Sequence, residues 1–243
     1  MHPFAFSLAP LWLRLSLRRG WKGVGLIALF ALAAKAAPEA ASIPAPPEDL
    51  VAPAHQIDPA HPGAPWEGLL KALQSKGNIA AAFTENRYFP FKKIPVVLTG
   101  EIRLSPEHGL SLHYLTPDDR LMIVDNHGVL FRLPSGRSRE GPSDPRALVA
   151  TDALVHVMRF DLAELSKQFA TYAAGDASRW YFAFDPKDET LSHTLSRLIV
   201  TGEGGLVRRI QLRKSAIQSV EILIGETREN VTFTPEELKR FFR

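Results

Sequence analysis

The chain has 243 residues, no cysteine and a formal charge of +3. That length suits one well-buried domain, and the missing cysteine excludes disulfides and a bacterial N-terminal lipid anchor. The charge is no sign of nucleic-acid binding: Arg14, Arg18, Arg19, Lys22 and Lys35 lie in residues 1–36 with no acid, and the other 24 Lys and Arg face 26 Asp and Glu, a balance of −2. A nucleic-acid surface needs its basic patch on the folded part.

Residues 1–36 read as a cleavable signal peptide. A positive region ends at Lys22, an apolar run covers Gly23 to Ala34, and Ala34-Lys35-Ala36 offers a cleavage site. The run is short of the roughly 20 residues that span a bilayer; an uncleaved signal anchor is the competing reading. The expected location is the periplasm, free of a lipid tether. Residues 37–65 follow as a linker with eight prolines in 29 residues, a composition that predicts extended or disordered chain. The folded domain is expected over 66–243.

Apolar residues at 66, 69, 70 and 73 predict a helix from Trp66 to Lys76, stopped by Gly77-Asn78. Alternation then predicts strands. Leu98, Gly100, Ile102 and Leu104 share one side, and Leu110, Leu112 and Tyr114 alternate with Ser111, His113 and Leu115. Turns are expected at Ser105-Pro106, Thr116-Pro117-Asp118 and Asn126-His127-Gly128. Helical spacing returns from Pro145 to Phe160 and from Asp161 to Ala174, with Asp161 as a cap and Glu164 at the third helical position. Strands resume at Trp180–Phe184, at Arg197–Thr201 and Leu206–Lys214 around a Gly202–Gly205 turn, and at Val220–Thr227 and Glu229–Phe233. Pro235–Phe242 predicts a closing helix. The sum is a mainly β (α+β) fold: a large antiparallel sheet with a few helices on one face.

No catalytic or metal-binding constellation stands out, so no enzyme, cofactor or metal is expected. His113 falls on the polar side of a strand, and His127 and Asp118-Asp119 fall in turns. Asp125 and Asp185 at strand ends are lone carboxylates. Arg208, Arg209, Arg213 and Lys214 read as a solvated sheet face, with Arg209, Gln211 and Arg213 on one side. The positive signal is apolar. A concave sheet face under an incomplete or mobile helical cover would enclose a cavity suited to acyl chains; from the residues alone, an ordinary closed core is the favoured reading.

The stretch from Gly77 to Glu85 resembles the opening strand of the LolA family of periplasmic lipoprotein carriers. Thr99-Gly100-Glu101-Ile102-Arg103-Leu104-Ser105-Pro106 resembles that family's glycine, apolar strand and proline. Leu112–Pro117 followed by Leu121–Asp125 resembles its next hairpin, continued by Val129-Leu130-Phe131. The likeness covers about residues 66–135, and 145–233 only in the order of elements. It implies an incomplete antiparallel barrel lidded by helices, with a cavity for the acyl chains of lipoproteins. The cavity residues expected are Ile102, Leu104, Leu110, Leu112, Tyr114, Phe131 and Phe182, with Leu154 and Met158 on the lid.

The implied function is a periplasmic carrier that shields acyl chains of a lipoprotein or lipid during transfer between membranes. Its partners would be an acylated protein or lipid, an inner-membrane transporter and an outer-membrane acceptor, with no nucleic acid, and it would act as a monomer. The alternatives are an accessory lipid- or glycolipid-binding protein of a dedicated envelope pathway, or a protein-interaction module with a closed core. The family holds its lid with an arginine before the strand-ending proline. Here that position is Ser105, so the lid must be held differently.

Overall fold

A computed structural model describes residues 43–243 apart from 75, 142–152 and 154. The expected signal peptide, the first part of the expected linker and the lid residue Leu154 lie outside the described residues. Twelve antiparallel strands form one sheet: β1 (Gln56–Ile57), β2 (Ile79–Tyr88), β3 (Val96–Ser105), β4 (Gly109–Thr116), β5 (Arg120–Asp125), β6 (Gly128–Arg132), β7 (Ser138–Glu140), β8 (Phe169–Gly175), β9 (Trp180–Pro186), β10 (Arg197–Glu203), β11 (Leu206–Ser215) and β12 (Gln218–Glu229). Their spatial order is β1-β8-β9-β10-β11-β12-β2-β3-β4-β5-β6-β7. The pairings of β12 with β2 and of β1 with β8 join distant parts of the chain. The edge strands β1 and β7 do not pair with each other, so the barrel is incomplete.

Register sorts the side chains. Ala81, Ile102, Leu112, Met122 and Phe131 face one another across β2 to β6. Phe182, Val200, Ile210 and Ile222 do the same across β9 to β12. Both rows belong to one core, which also takes in Trp66, Leu69, Leu70 and Leu73 of α1 (Ala64–Gln74), Val155, Val157 and Met158 of α2 (helical residues 155–159), and Leu162 and Leu165 of α3 (Leu162–Gln168). A wide sheet can place residues of both halves in one cluster only by curling around it, so this face is concave. Leu191 of the short α4 (Glu189–Ser192) joins the same core.

Two glycines let aromatic rings lie flat on the concave face. A Cβ at Gly100 would stand 2.7 Å from the Phe83 ring, and one at Gly202 would stand 2.0 Å from the Trp180 ring. Missing side chains there are what allow Phe83 to meet Tyr114 edge to face at 5.3 Å and Trp180 to pack within the sheet.

The structure departs from the sequence expectations in four places. Phe169–Gly175 is a strand, not the second half of a helix: α3 is only seven residues long, and Phe169, Thr171 and Ala173 alternate inward against β9. The pairing partner overrides the helical spacing of the local sequence. Gln218–Glu229 is one long strand, and 230–234 are not strand. Helices are not confined to one face, because α5 (Pro235–Phe241) covers the convex side of β2, β5 and β6 through Phe233, Phe241 and Phe242 on Ala80, Leu121, Ile123 and Leu130. A full capping box at Thr234 and Glu237 starts that helix, and Arg243 clamps its end to Asp125 and Glu140.

The fourth departure is the expected linker. Over residues 43–65 it packs on the convex face: Leu50 is buried against Ala174, Tyr181, Ala183 and Ile199, β1 extends the sheet beside β8, and Arg209 donates to the carbonyls of Ile43 and Pro44. Proline density removes amide donors, but it does not prevent burial of a lone leucine. Leu50→Ala is therefore expected to cost about 2–3 kcal/mol and to lower Tm by roughly 5–10 °C. Thermal melting checks this; an unchanged Tm would mean that the segment contributes nothing.

Candidate functional site

The concave face gathers the residues singled out in the sequence. Ile102, Leu104, Leu110, Leu112, Tyr114 and Phe182 are all buried in one cluster with Met158 of α2, and the half-buried Phe131 packs against it. The helices close over them. Trp66 of α1 meets Phe182 edge to face at 5.4 Å, and Phe160 touches both Trp180 and Phe182. Phe160 sits between α2 and α3 with φ of 52°, a left-handed conformation that costs a bulky residue about 1–2 kcal/mol. Its ring packing holds it there.

A void of about 30 Å³ remains between Ile79, Ala81, Ile102, Ile224, Met158 and Phe160, room for about one water. It adjoins an open cleft of about 330 Å³ between α1 and α2, lined by Leu73, Gln74, Lys76, Leu104, Met158 and Arg159. Met158 lines both the void and the cleft. A further groove of about 700 Å³ runs beside the β3–β4 and β5–β6 turns, lined by His108, Asp125, His127 and His156 together with Val124, Val129 and Val155.

Polar contacts tie the cover to the sheet and to itself. Arg159, at the end of α2, reaches the β3–β4 turn and donates through Nη2 to the carbonyls of Ser105 at 3.4 Å and Pro106 at 3.3 Å. Gln74 of α1 donates to the Phe160 carbonyl at 3.0 Å. Ser105 accepts the amides of Glu107 and His108 on its hydroxyl and so shapes the turn that Arg159 grips. At the position where the resemblance implies a lid-holding arginine stands Ser105, and the guanidinium of Arg159 reaches its carbonyl from α2. Sequence spacing could not show this, because Arg159 and Ser105 are 54 residues apart.

One end of the concave face is charged, which the sequence reading missed. Glu85 and Arg87 of β2 point inward with Phe83 and are 1% and 2% exposed. The Arg87 Nε donates to Glu85, and the Tyr114 hydroxyl donates to the other Glu85 oxygen at 2.8 Å. The Arg120 guanidinium lies over the Tyr114 ring at 4.8 Å. Burial, and then the Glu85 charge, push the Tyr114 hydroxyl far above the usual phenol range, so it stays a neutral donor. Burial lowers the Arg120 guanidinium somewhat. The signal was present in the alternation: two charged residues stand in phase with the apolar side of β2.

The candidates set aside in the sequence find structural partners. Asp125 is held by Arg243, and Asp185 takes Arg197 through both oxygens. Arg209 and Arg213 lie on the convex face, Arg209 beside Glu221 and Arg213 bonded to Gln211. His113 bonds Asp119 and packs on Phe241. Among the described residues no group of three or more His, Cys, Asp or Glu side chains is placed to hold a metal, and no helix is long and apolar enough to cross a membrane.

No family model and no curated protein matches the chain. Solved structures to which it is similar include a LolA superfamily protein from Nitrosomonas europaea, at 5% identity and a TM-score of 0.39 over 72% of this chain and 97% of that one. A DUF1329 family protein from Desulfovibrio piger aligns at 9% identity and a TM-score of 0.40 over 71% and 96%. The MucA/MucB complex of Pseudomonas aeruginosa aligns at 17% identity and a TM-score of 0.38 over 70% of this chain and 57% of that one. The sheet itself is of the kind that the sequence resemblance implies: antiparallel, not closed, and curled over a helical cover.

Proposed function

We propose that this protein is a periplasmic carrier that takes an acyl chain of a lipoprotein or lipid between its concave sheet face and the helices α1 to α3. The observation that carries the reading is the cover. An apolar face drawn from ten strands lies under short helices, and Arg159 and Gln74 are among the side chains whose hydrogen bonds tie α2 to its surroundings. Such a cover can part from the sheet without unpairing any strand. The open cleft between α1 and α2 leads to the expected cavity residues Ile102 and Leu104 and to the lid residue Met158. The sequence resemblance to the LolA family supports the same reading.

Two measurements test it. Lipid extraction and mass spectrometry of the purified protein should recover acylated material, and delipidated protein should take up a fluorescent fatty acid. Arg159→Ala should speed that uptake about tenfold, because losing a charged donor on two carbonyls removes about 1–2 kcal/mol from the closed state. Neither bound lipid nor uptake by wild type or variant would leave a closed-core module instead.

A further inference from the structure

We infer that the tip of the β2–β3 hairpin docks on an anionic phospholipid surface, with Phe91 and Ile94 entering the lipid interface and Lys92 and Lys93 at the level of the phosphates. The starting point is where apolar surface is exposed. Single exposed apolar residues scattered over a protein are ordinary, and a cluster is not. Among the described residues the exposed large apolar side chains are Tyr88, Phe91, Ile94, Val97, Leu115 and Ile217. Five of them lie at one end of the strands, and Leu115 lies further along the sheet, beside Thr116, which pairs with Thr99. Tyr88 ends β2, Val97 opens β3, Phe91 and Ile94 form the tip between them, Leu115 closes β4, and Ile217 is in the β11–β12 turn, where Ser219 pairs with Tyr88. Phe91 and Ile94 are 73% and 76% exposed.

Charge narrows the partner. From Asn86 to Gly100 there is no acidic residue, and Lys92-Lys93 stand between Phe91 and Ile94, both lysines exposed. Phe89 and Phe91 stack at 5.4 Å, which stiffens the tip. Apolar side chains beside exposed lysines match the depth profile of a membrane interface, where rings and aliphatic groups sit below and ammonium groups reach the headgroup phosphates. The acidic pair Asp118-Asp119 occupies the neighbouring β4–β5 turn. Contact is therefore centred on the β2–β3 tip and the β11–β12 turn. Glu107 and the α1–α2 cleft lie at the other end of the strands, roughly 30 Å away for a ten-residue strand. The protein would stand on the membrane by its hairpin with the cleft facing away. This inference does not depend on the acyl-carrier reading.

The cysteine-free chain permits a local test. An environment-sensitive fluorophore is placed at Ile94→Cys, and at Glu107→Cys as a control, in otherwise unaltered protein. Reading the label rather than sedimentation keeps the apolar leader from dominating the signal. With vesicles of mixed phosphatidylethanolamine and phosphatidylglycerol, the label at position 94 should brighten and shift to the blue while that at 107 does not change. The response should weaken with added salt and be much smaller on phosphatidylcholine alone. Lys92→Ala with Lys93→Ala should weaken the apparent affinity about thirtyfold, at about fivefold per lysine. Phe91→Ser should weaken it about tenfold or more. These side chains are exposed, so thermal melting should be unaltered and any loss is not unfolding. No response at 94, or equal responses at 94 and 107, would overturn the inference. So would undiminished affinity in the lysine variant, and a patch that serves a protein partner would give the first of these results.

Discussion

Arg87→Ala is expected to lower Tm by on the order of 10 °C, because removing one partner of a buried ion pair costs about 3–5 kcal/mol. Glu85 would be left without its guanidinium partner on the concave face between Leu98 and Ile222, its cross-strand neighbours. The Tyr114 hydroxyl would still donate to it, but a neutral donor offsets only part of the desolvation of a carboxylate. Arg120, whose guanidinium lies 4.8 Å from the Tyr114 ring centroid, interacts with Glu85 through longer-range Coulombic attraction. The partner variant separates charge from packing. Glu85→Leu combined with Arg87→Met removes both charges at similar volume and should recover most of the lost stability. Thermal melting of the three proteins decides: if Arg87→Ala melts within a degree or two of wild type, water reaches the pair and it is not a buried one.

Trp180→Ala should be comparably severe, at about 3–5 kcal/mol. Trp180 is fully buried, its indole N–H donates to the Gly204 carbonyl at 2.7 Å, and its ring lies over Gly202. Phe160 packs on it edge to face at 5.3 Å, so the indole also holds the junction between α2 and α3 in its left-handed backbone. Loss of the ring should free the cover before it frees the sheet. Hydrogen exchange across 155–168 should rise more than exchange across β10 and β11. Equal protection in both regions, with a lowered Tm, would mean that the cover and the sheet open as one unit.

Much of this fold is legible in one sequence because the code for a half-buried strand is local. Period-two alternation from Leu98 to Leu104 and from Leu110 to Tyr114 identifies strands, their inward faces and the turns between them, and the structure keeps all three. The cap at Asp161 with Glu164, and the proline-started helix at Pro235, are local as well. So is the absence of cysteine. The features that decide the site are of another kind. Phe169–Gly175 becomes a strand because β9 offers it a hydrogen-bonding edge, a partner that no window of the local sequence contains. The inward turn of Glu85 and Arg87 is sustained by their own ion pair and by Tyr114, 29 residues from Glu85, which supplies a further donor. Arg159 holds the cover because folding brings α2 against the β3–β4 turn. Whether the apolar face is an empty cavity or a filled one depends on how Met158 and Phe160 pack, and packing is a sum over many distant contacts. Sequence periodicity therefore determined which side chains face inward, and the tertiary structure alone decided what they meet there.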